Sequence, residues 1–455
     1  MLRPFLHAAA LAAAILPCGC AIYRPLPLGE GDGAASVAQL RVPASAMPVP
    51  ELATHRFDPA DGLDVTEVAM LAVANNPGLK VQRDALGIAR AQAFAAGLLP
   101  DPQLSFSEDL PRGDRSESGV TKARSFGIAE DVSAILLRSS RKRAANAQAE
   151  QVNLDLLWAE WQTIAQARLL FDQVQSLRAQ KKELDAEQQA LAPVDRAVQA
   201  ALRTGNLDDG SANAGLNALA DAHRQAADNA LALHRAESAL RQLLGLAPGA
   251  PLDLAGAPYQ AHPDAAQLQA ALANLPQRRP DLLALQAGYR AQEATLRGAI
   301  LAQFPAISLG LDHARDNTGI KSSGFTLGLN LPLFDRNRGN IAIETATRQQ
   351  LKDDYAARLL AARSDVRRLA ADLRTLDAQQ QAQAAHARQL DAARDAAQQA
   401  WRSGLIDWPT YLSIRSNALA ADTGLIALRQ SRSATAIGLE ALLGRTDFVT
   451  QRMSR

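Results

Sequence analysis

The sequence contains the same landmarks twice, in the same order and about 200 residues apart. They are the paired prolines Pro77 and Pro280, the paired prolines Pro100 and Pro305, and the Arg-x-Gly turns at 203–205 and 402–404. A single match would carry little weight, but three in order indicate an internal tandem duplication. We place the first repeat at residues 61–262 and the second at 263–455. Any fold for this chain must therefore accommodate two similar units.

Each repeat begins with a helix pattern and continues into a β-hairpin pattern. The helices are predicted over about 77–98 and 280–303, and both end before a proline, which cannot continue a helix. Alternating apolar and small residues follow, as in "LSFS" from Leu104 and "GFTLGLNL" from Gly324. The strands are about 8–10 residues long, which is the length of membrane β-strands.

Long helical hairpins complete both repeats. Residues 340–403 contain no Gly or Pro, and as one helix they would reach roughly 95 Å. The counterpart over 139–203 contains Pro193, which should kink or break it. Return helices are predicted over about 212–246 and 410–444. Taken alone, these helices are equally consistent with a soluble coiled-coil rod.

The N-terminus has the pattern of a secretory signal peptide, which we place at 1–19. Arg3 supplies positive charge, and residues 5–16 form an apolar core too short to span a bilayer. Cys20 resembles the cleavage and lipidation cysteine of a bacterial lipoprotein, so we expect a lipid-anchored linker over 20–60. Ordinary signal cleavage without lipidation is the alternative.

Composition and motifs exclude several kinds of function. Both cysteines, Cys18 and Cys20, lie beside the signal peptide, so the mature chain has no internal disulfide and no cysteine metal cluster. Loss of Arg3 leaves 47 of the 48 basic residues against 47 acidic ones, a balance that argues against nucleic acid as partner. The seven histidines form no paired-ligand motif, and no phosphate-binding loop or nucleophile elbow occurs. We expect no catalytic residue, cofactor or bound metal.

The hairpins determine how such a chain could enter a membrane. No later segment approaches the roughly 20 consecutive apolar residues of a membrane helix, so a crossing would use strands. Four strands cannot close a barrel, because the smallest membrane barrels have about eight. Three copies would supply twelve strands and could close with cyclic symmetry. A small soluble β-layer capping a coiled coil is the alternative.

In a closed barrel, the last strand of the second repeat would have one face toward lipid and one toward water. Its residues divide by alternation into an apolar set and a small or polar set. We predict that Leu327, Leu329 and Leu331 face lipid and that Thr326, Gly328 and Asn330 face an aqueous lumen.

Over roughly residues 61–446 the chain resembles the outer-membrane factor family, the TolC-like exit ducts of Gram-negative tripartite pumps. The resemblance rests on "NPGLK", "GLLPDPQLS", "RRPDLL", "LPLFDRNRGNIA" and "WRSGLIDWPTYL", which occur in this order. The segment "PLFDRNRGNIA" resembles the heavy-metal, CzcC-like branch of the family. The drug-exporting branch usually has a Gly-Gly turn in place of Asn337–Arg338.

The resemblance implies a fold that is mainly α with a small β part. It implies a homotrimer in which a 12-stranded β-barrel in the outer membrane is joined to a long α-helical barrel in the periplasm. The implied function is that of an exit duct for heavy-metal cations, not an enzyme. The implied partners are a periplasmic adaptor (membrane fusion protein), an inner-membrane RND-type pump and outer-membrane lipid. A drug-efflux duct of the same family is the alternative, followed by a periplasmic coiled-coil adaptor or structural protein.

The resemblance also places the Gly205 and Gly404 turns at the periplasmic tip, where the duct meets its adaptor. Arg203 and Arg402 would contact the adaptor there, or would complement the negative ends of their helices. Many family members carry an acidic ring just past the second turn, at a position that Ser413 occupies here. Asp208, Asp209 and Asp407 are the nearby acidic candidates for a channel constriction, with helix capping as the alternative.

Overall fold

The computed structural model describes residues 22–29, 31, 33–43, 47–110, 121–205, 209–259 and 265–444. Side chains are not described for 209–212, 214, 215 and 265–267. The chain separates into a unit at Met1–Gly33 and a unit at Ala34–Arg455, and the fold below is that of the second unit. The predicted signal peptide and the lipidation candidate Cys20 lie outside the described residues.

The order helix, strand, strand, helix, helix occurs in both halves of the chain, and in the first half a further helix precedes it. The first half contains α1 (Val65–Asn75), α2 (Pro77–Ala96), β1 (Gln103–Asp109), β2 (Ala123–Asp131), α3 (Val132–Arg203) and α4 (Asp209–Leu244). The second half contains α5 (Pro280–Leu301), β3 (Ala306–Arg315), β4 (Lys321–Asn330), α6 (Arg338–Arg402) and α7 (Trp408–Leu443). Short helices lie at Pro50–Thr54, Ala265–Ala273 and Leu275–Arg278, and 3-10 turns at Val37–Gln39 and Pro59–Asp61.

The long helices are continuous. Helix α3 has 72 residues and α6 has 65, so at 1.5 Å per residue they extend over roughly 108 and 98 Å. We expected Pro193 to kink or break this helix, and the break is wrong, because α3 runs through this residue. Proline removes one backbone hydrogen bond, whereas Leu191 and Val194 beside it are buried in a cluster with Tyr411 of α7. Tertiary packing therefore maintains the helix.

The main hydrophobic core surrounds α1, in which all residues from Val68 to Val73 are buried. Helix α3 contributes Trp161 and Phe171 to this core, and α4 contributes Leu240. A capping box starts α1, since the Asp64 carboxylate accepts hydrogen bonds from the N–H groups of Thr66 and Glu67. The indole Nε1 of Trp161 donates to the Ala441 carbonyl at 2.7 Å. This bond connects the core of the first half to α7 of the second.

The strands form one antiparallel sheet with the order β1-β2-β3-β4. Phe106 lies opposite Phe126, Phe126 opposite His313, and Leu311 opposite Phe325. The two predicted hairpins thus pair with each other through β2 and β3. Within the described residues, no helix combines the length and the apolar character needed to cross a membrane.

The connection from β4 to α6 contains left-handed backbone at two residues that are not glycine. Arg336 has φ 47° and Asn337 has φ 54°. The two left-handed residues are therefore Arg336 and Asn337, one position earlier than the Asn337–Arg338 pair that we compared with a Gly-Gly turn. Asparagine tolerates this conformation better than most residues. Its side-chain Nδ2 also donates to the Ala299 carbonyl at 2.8 Å, which ties the start of α6 to the end of α5.

Candidate functional site

One face of the four-stranded sheet is mainly apolar, with Glu130 on it near the helical end of β2. Residues paired directly across antiparallel strands point to the same side, so the register assigns each residue to a face. The apolar members of this face are Leu104, Phe106, Phe126, Ile128, Ile307, Leu309, Leu311, Phe325, Leu327 and Leu329. In the single chain Phe325 is 78% exposed and Leu104 is 67% exposed. So large an apolar surface requires apolar surroundings.

The apolar face ends in a charged row on the side of the hairpin loops. Glu108, Arg124, Arg315 and Lys321 occupy this row. The Glu108 carboxylate lies 3.0 Å from Lys122 Nζ and 3.6 Å from Arg124 Nη2. Between this row and the helical end of the sheet, the apolar residues extend along β3 from Ile307 to Leu311, followed by His313. At 3.4 Å per residue, Ile307 and Leu311 lie about 14 Å apart along the strand, which is shorter than the ~25 Å apolar band of membrane barrels.

The opposite face of the sheet carries only small or polar side chains. Its members are Gln103, Ser105, Ser107, Asp109, Ala123, Ser125, Gly127, Ala129, Asp131, Ala306, Ser308, Gly310, Asp312, Ala314, Ser322, Gly324, Thr326, Gly328 and Asn330. The Ser107 and Ser125 hydroxyls lie 2.9 Å apart, and the Thr326 hydroxyl donates to Asp312 Oδ1 at 3.1 Å. The two-faced character that alternation predicted for β4 therefore extends over the whole sheet.

Both predicted tip turns contain a glycine in the left-handed conformation. Gly205 has φ 70° and Gly404 has φ 71°. After α6, the Gly404 N–H donates to the Trp401 carbonyl at 3.0 Å and the Leu405 N–H donates to the Ala400 carbonyl at 2.8 Å. This pair of bonds is a Schellman motif, which requires the left-handed residue. Arg203 and Arg402 are exposed in the last turns of their helices.

The candidates for a channel constriction lie in different environments. Asp407 caps α7, because its Oδ1 accepts a hydrogen bond from the Thr410 N–H at 2.9 Å. Asp208 lies outside the described residues, and Asp209 starts α4 with a side chain that is not described. Ser413 is exposed on α7. The capping alternative thus holds for Asp407, and a constricting role for these four residues stays a prediction.

Sequence reasoning missed a buried polar cluster close to the second tip. Arg415 of α7 donates from Nε to Glu187 Oε1 at 3.2 Å and from Nη2 to Glu187 Oε2 at 2.5 Å. Its Nη1 also donates to the Tyr411 hydroxyl at 3.2 Å. The Tyr411 ring stacks on Trp401 with 4.8 Å between centroids. This cluster joins α3 of the first half to α6 and α7 of the second.

The cap formed by Asp407 should depend on pH. Hydrogen bonds from the Thr410 hydroxyl and N–H lower the pKa of the Asp407 carboxyl below its usual value of about 4. The ionised Asp407 carboxylate therefore stabilises the first turn of α7 fully above about pH 4. This stabilisation is lost as the pH falls through the lower pKa that Asp407 has in the folded state. We expect amide protection in the first turn of α7, measured by hydrogen exchange, to fall selectively over this range.

Asp407→Asn is the matched control, because an amide oxygen can accept the same hydrogen bond without titrating. This variant should show protection that does not change over the same pH range. An unchanged acid-induced loss of protection in Asp407→Asn would assign the effect to another group.

The described residues contain no group of three or more His, Cys, Asp or Glu side chains placed to hold one metal ion. The features that stand out are therefore surfaces: a two-faced sheet at one end of the long helices and paired glycine turns at the other. A sheet and helices arranged in this way can line an aqueous path with small and polar side chains.

Comparisons with known proteins match this architecture. Residues 259–445 match the family described as outer membrane efflux protein. Protein CyaE of Bordetella pertussis is 28% identical over 369 residues, which cover 75% of this chain and 74% of that protein. The pyoverdine export outer membrane protein OpmQ of Pseudomonas aeruginosa is 28% identical over 179 residues, or 37% of each chain.

Solved structures show the same fold. The alignment with the CusC structure covers 88% of this chain and 97% of the CusC chain, with a TM-score of 0.71 and 20% identity. These values show a shared arrangement of helices and strands. The family match lies in the second half, and the alignment with CyaE extends well beyond it. The second half of the chain is therefore similar to the outer membrane efflux protein family, and the whole fold is that of solved outer-membrane channels, which are not enzymes.

Proposed function

We propose that three copies of this chain form the outer-membrane exit duct of a tripartite efflux pump, and that the duct exports heavy-metal cations. The main support for a duct is the sheet, which has one apolar face and one small, polar face. The sheet is also continuous with the long helices. The apolar face suits lipid and the polar face suits an aqueous lumen. The junction from β2 to α3 contains no intervening residue, so the wall of the path continues from sheet to helix.

The edges of the sheet support a trimer. The order β1-β2-β3-β4 leaves β1 and β4 with one neighbour each in the single chain. In lipid, an open edge would leave backbone N–H and C=O groups without partners, at a cost of several kcal/mol each. If β1 of one copy pairs with β4 of the next, three copies close a 12-stranded barrel and remove every edge.

The partners follow from the same proposal. A periplasmic adaptor would meet the turns at Gly205 and Gly404, with Arg203 and Arg402 exposed beside them. The adaptor would connect the duct to an inner-membrane RND-type pump. Lipidation of Cys20 would anchor the N-terminal linker in the same membrane. Two helical hairpins in tandem favour a duct over an adaptor, which usually has one.

The proposed cargo rests on the sequence segment that connects β4 to α6. The resemblance of "LPLFDRNRGNIA" to the heavy-metal branch favours cations of the zinc, cobalt, cadmium or copper group. OpmQ is described as exporting pyoverdine, which favours organic molecules as the alternative cargo. A duct of this kind conducts what its pump delivers, so the cargo must be tested in cells.

Deletion of the gene tests both the proposed duct and its proposed metal cargo. Cells that lack the protein should become sensitive to divalent heavy metals in a panel that also contains drugs, and a plasmid copy should restore tolerance. Fractionation of the complemented strain should find a heat-resistant trimer in the outer membrane. Sensitivity to drugs alone would overturn the metal assignment and keep the duct. A soluble monomer would overturn the duct itself.

A further inference from the structure

We propose that Asp312 sets the charge selectivity of the strand-built part of the pore, where it favours cations over anions. The inference rests on the proposed function in one respect, namely that the small, polar face of the sheet lines the lumen. The residue is on β3, in the middle of that face. Its role would be to attract small hydrated cations or cationic organic solutes and to repel anions of the same size.

The basic residues of the four strands all lie on one face, whereas acidic residues occur on both faces. Arg124, Arg315 and Lys321 are the basic residues of β1 to β4, and all three occupy the charged row of the apolar face. The small, polar face carries acidic residues and no Lys or Arg within these strands. Its acidic members are Asp109, Asp131 and Asp312. The face therefore has a formal charge of one sign, which low-dielectric walls around a narrow path concentrate.

Among these three acids, Asp312 is the one placed to act on a passing ion. Asp109 ends β1, and Asp131 ends β2, where its Oδ1 accepts a hydrogen bond from the Ala134 N–H at 3.1 Å and caps α3. The Asp312 carboxylate accepts a hydrogen bond from the Thr326 hydroxyl and forms no ion pair with a described residue. Its charge is therefore not neutralised by a neighbouring cation.

Glycines leave the space around Asp312 open. Gly127 of β2 and Gly324 of β4 lie directly opposite it on the two neighbouring strands. A Cβ atom built at Gly324 would lie 3.5 Å from both Asp312 carboxylate oxygens, which is ordinary contact. Side chains would fit at this position, yet none is present to cover the carboxylate. Three copies would place three such carboxylates at one height in the lumen.

The test measures the electrostatic potential at the polar face with a reporter cysteine. Ser322 lies on the same face, diagonal to Asp312, at roughly 7–8 Å. The native cysteines are Cys18 and Cys20, and a strain without the reporter measures their background. Intact cells producing Ser322→Cys are treated with methanethiosulfonate reagents of equal size and opposite charge. The ratio of the two labelling rates reports the local potential from the external side and does not depend on the state of the helical tip.

The cationic reagent should react faster at residue 322, and Asp312→Asn should lower the cation-to-anion rate ratio by about twofold. This figure follows from Coulomb attraction at this distance in water, reduced by screening at physiological salt. Asparagine keeps an acceptor for the Thr326 hydroxyl, and a gel of the heat-resistant trimer confirms assembly. Asp312→Ser provides a second neutral variant with the same expectation. Glu108→Gln is the matched control, because Glu108 lies on the apolar face, and it should leave the ratio unchanged.

Two further outcomes separate the inference from the proposed function. If both reagents label residue 322 and Asp312→Asn leaves the ratio unchanged, the selectivity role of Asp312 is overturned and the duct is retained. If neither reagent labels residue 322 in an assembled trimer, the polar face does not line an aqueous path. That result overturns the face assignment in the proposed function together with the inference.

Discussion

Replacing Glu187 by alanine should reduce the free energy of unfolding by about 3–5 kcal/mol, the usual cost of breaking a buried ion pair from one side. The Glu187 and Arg415 side chains are each only 8% exposed. Loss of the carboxylate would leave the Arg415 guanidinium buried, with the Tyr411 hydroxyl as its remaining partner in the cluster. Chemical denaturation of the purified protein in detergent, followed by helical circular dichroism, would measure the loss.

Two controls show whether burial causes this effect. Asp185 lies on the same helix and pairs with Lys181, but both side chains are about half exposed, so Asp185→Ala should change stability by less than roughly 1 kcal/mol. The double variant Glu187→Met, Arg415→Met removes both charges and should recover most of the stability. A double variant as unstable as Glu187→Ala would show that the buried charge is not the cause.

Replacing Gly404 by valine should disrupt the second tip and strongly reduce efflux without preventing assembly. The residue has φ 71°, which a β-branched side chain adopts only with strain of about 1–2 kcal/mol or more. No atom lies within 4 Å of a Cβ built there, so the effect comes from the backbone alone. The Schellman bonds from Gly404 and Leu405 would be lost with this conformation.

Metal tolerance of a complemented deletion strain and a gel of the heat-resistant trimer measure the two parts of this prediction. Gly339→Val is the matched control. It also has no atom within 4 Å of an added Cβ, but it lies in the first turn of α6 without a positive φ. This control should keep both tolerance and trimer. Loss of the trimer in Gly404→Val would show that the turn lies inside the assembly and not at a free end.

The hairpins and long helices could be predicted because their signals are local. Alternation of apolar and small residues identifies a strand within eight residues, and prolines and glycines mark the ends of the helices. Helix α3 shows the limit of such signals. Pro193 argues for a break at the local level, and only the packing of Leu191 and Val194 against α7 explains why the helix continues.

The candidate site also contains some features that local sequence signals predict and one that they do not. The left-handed glycines and the exposed arginines of the tips follow from a short motif, and the two faces of the sheet follow from alternation. The cluster of Glu187, Arg415 and Tyr411 does not. Tyr411 and Arg415 are four residues apart on one helix, but Glu187 lies 228 residues from Arg415. No pattern in the chain marks a pair formed by the packing of two long helices.

The two halves of the chain are attached to the sheet by different joints. Helix α3 begins at the residue that follows β2, whereas residues 331–337 separate β4 from α6 and include the left-handed Arg336 and Asn337. The first connection is direct, and the second is a seven-residue segment whose end is fixed by the Asn337–Ala299 hydrogen bond. The two repeats therefore differ in how their long helices connect to the sheet. We expect any movement between the sheet and the long helices to occur mainly in residues 331–337, because α3 follows β2 directly and packs against α7.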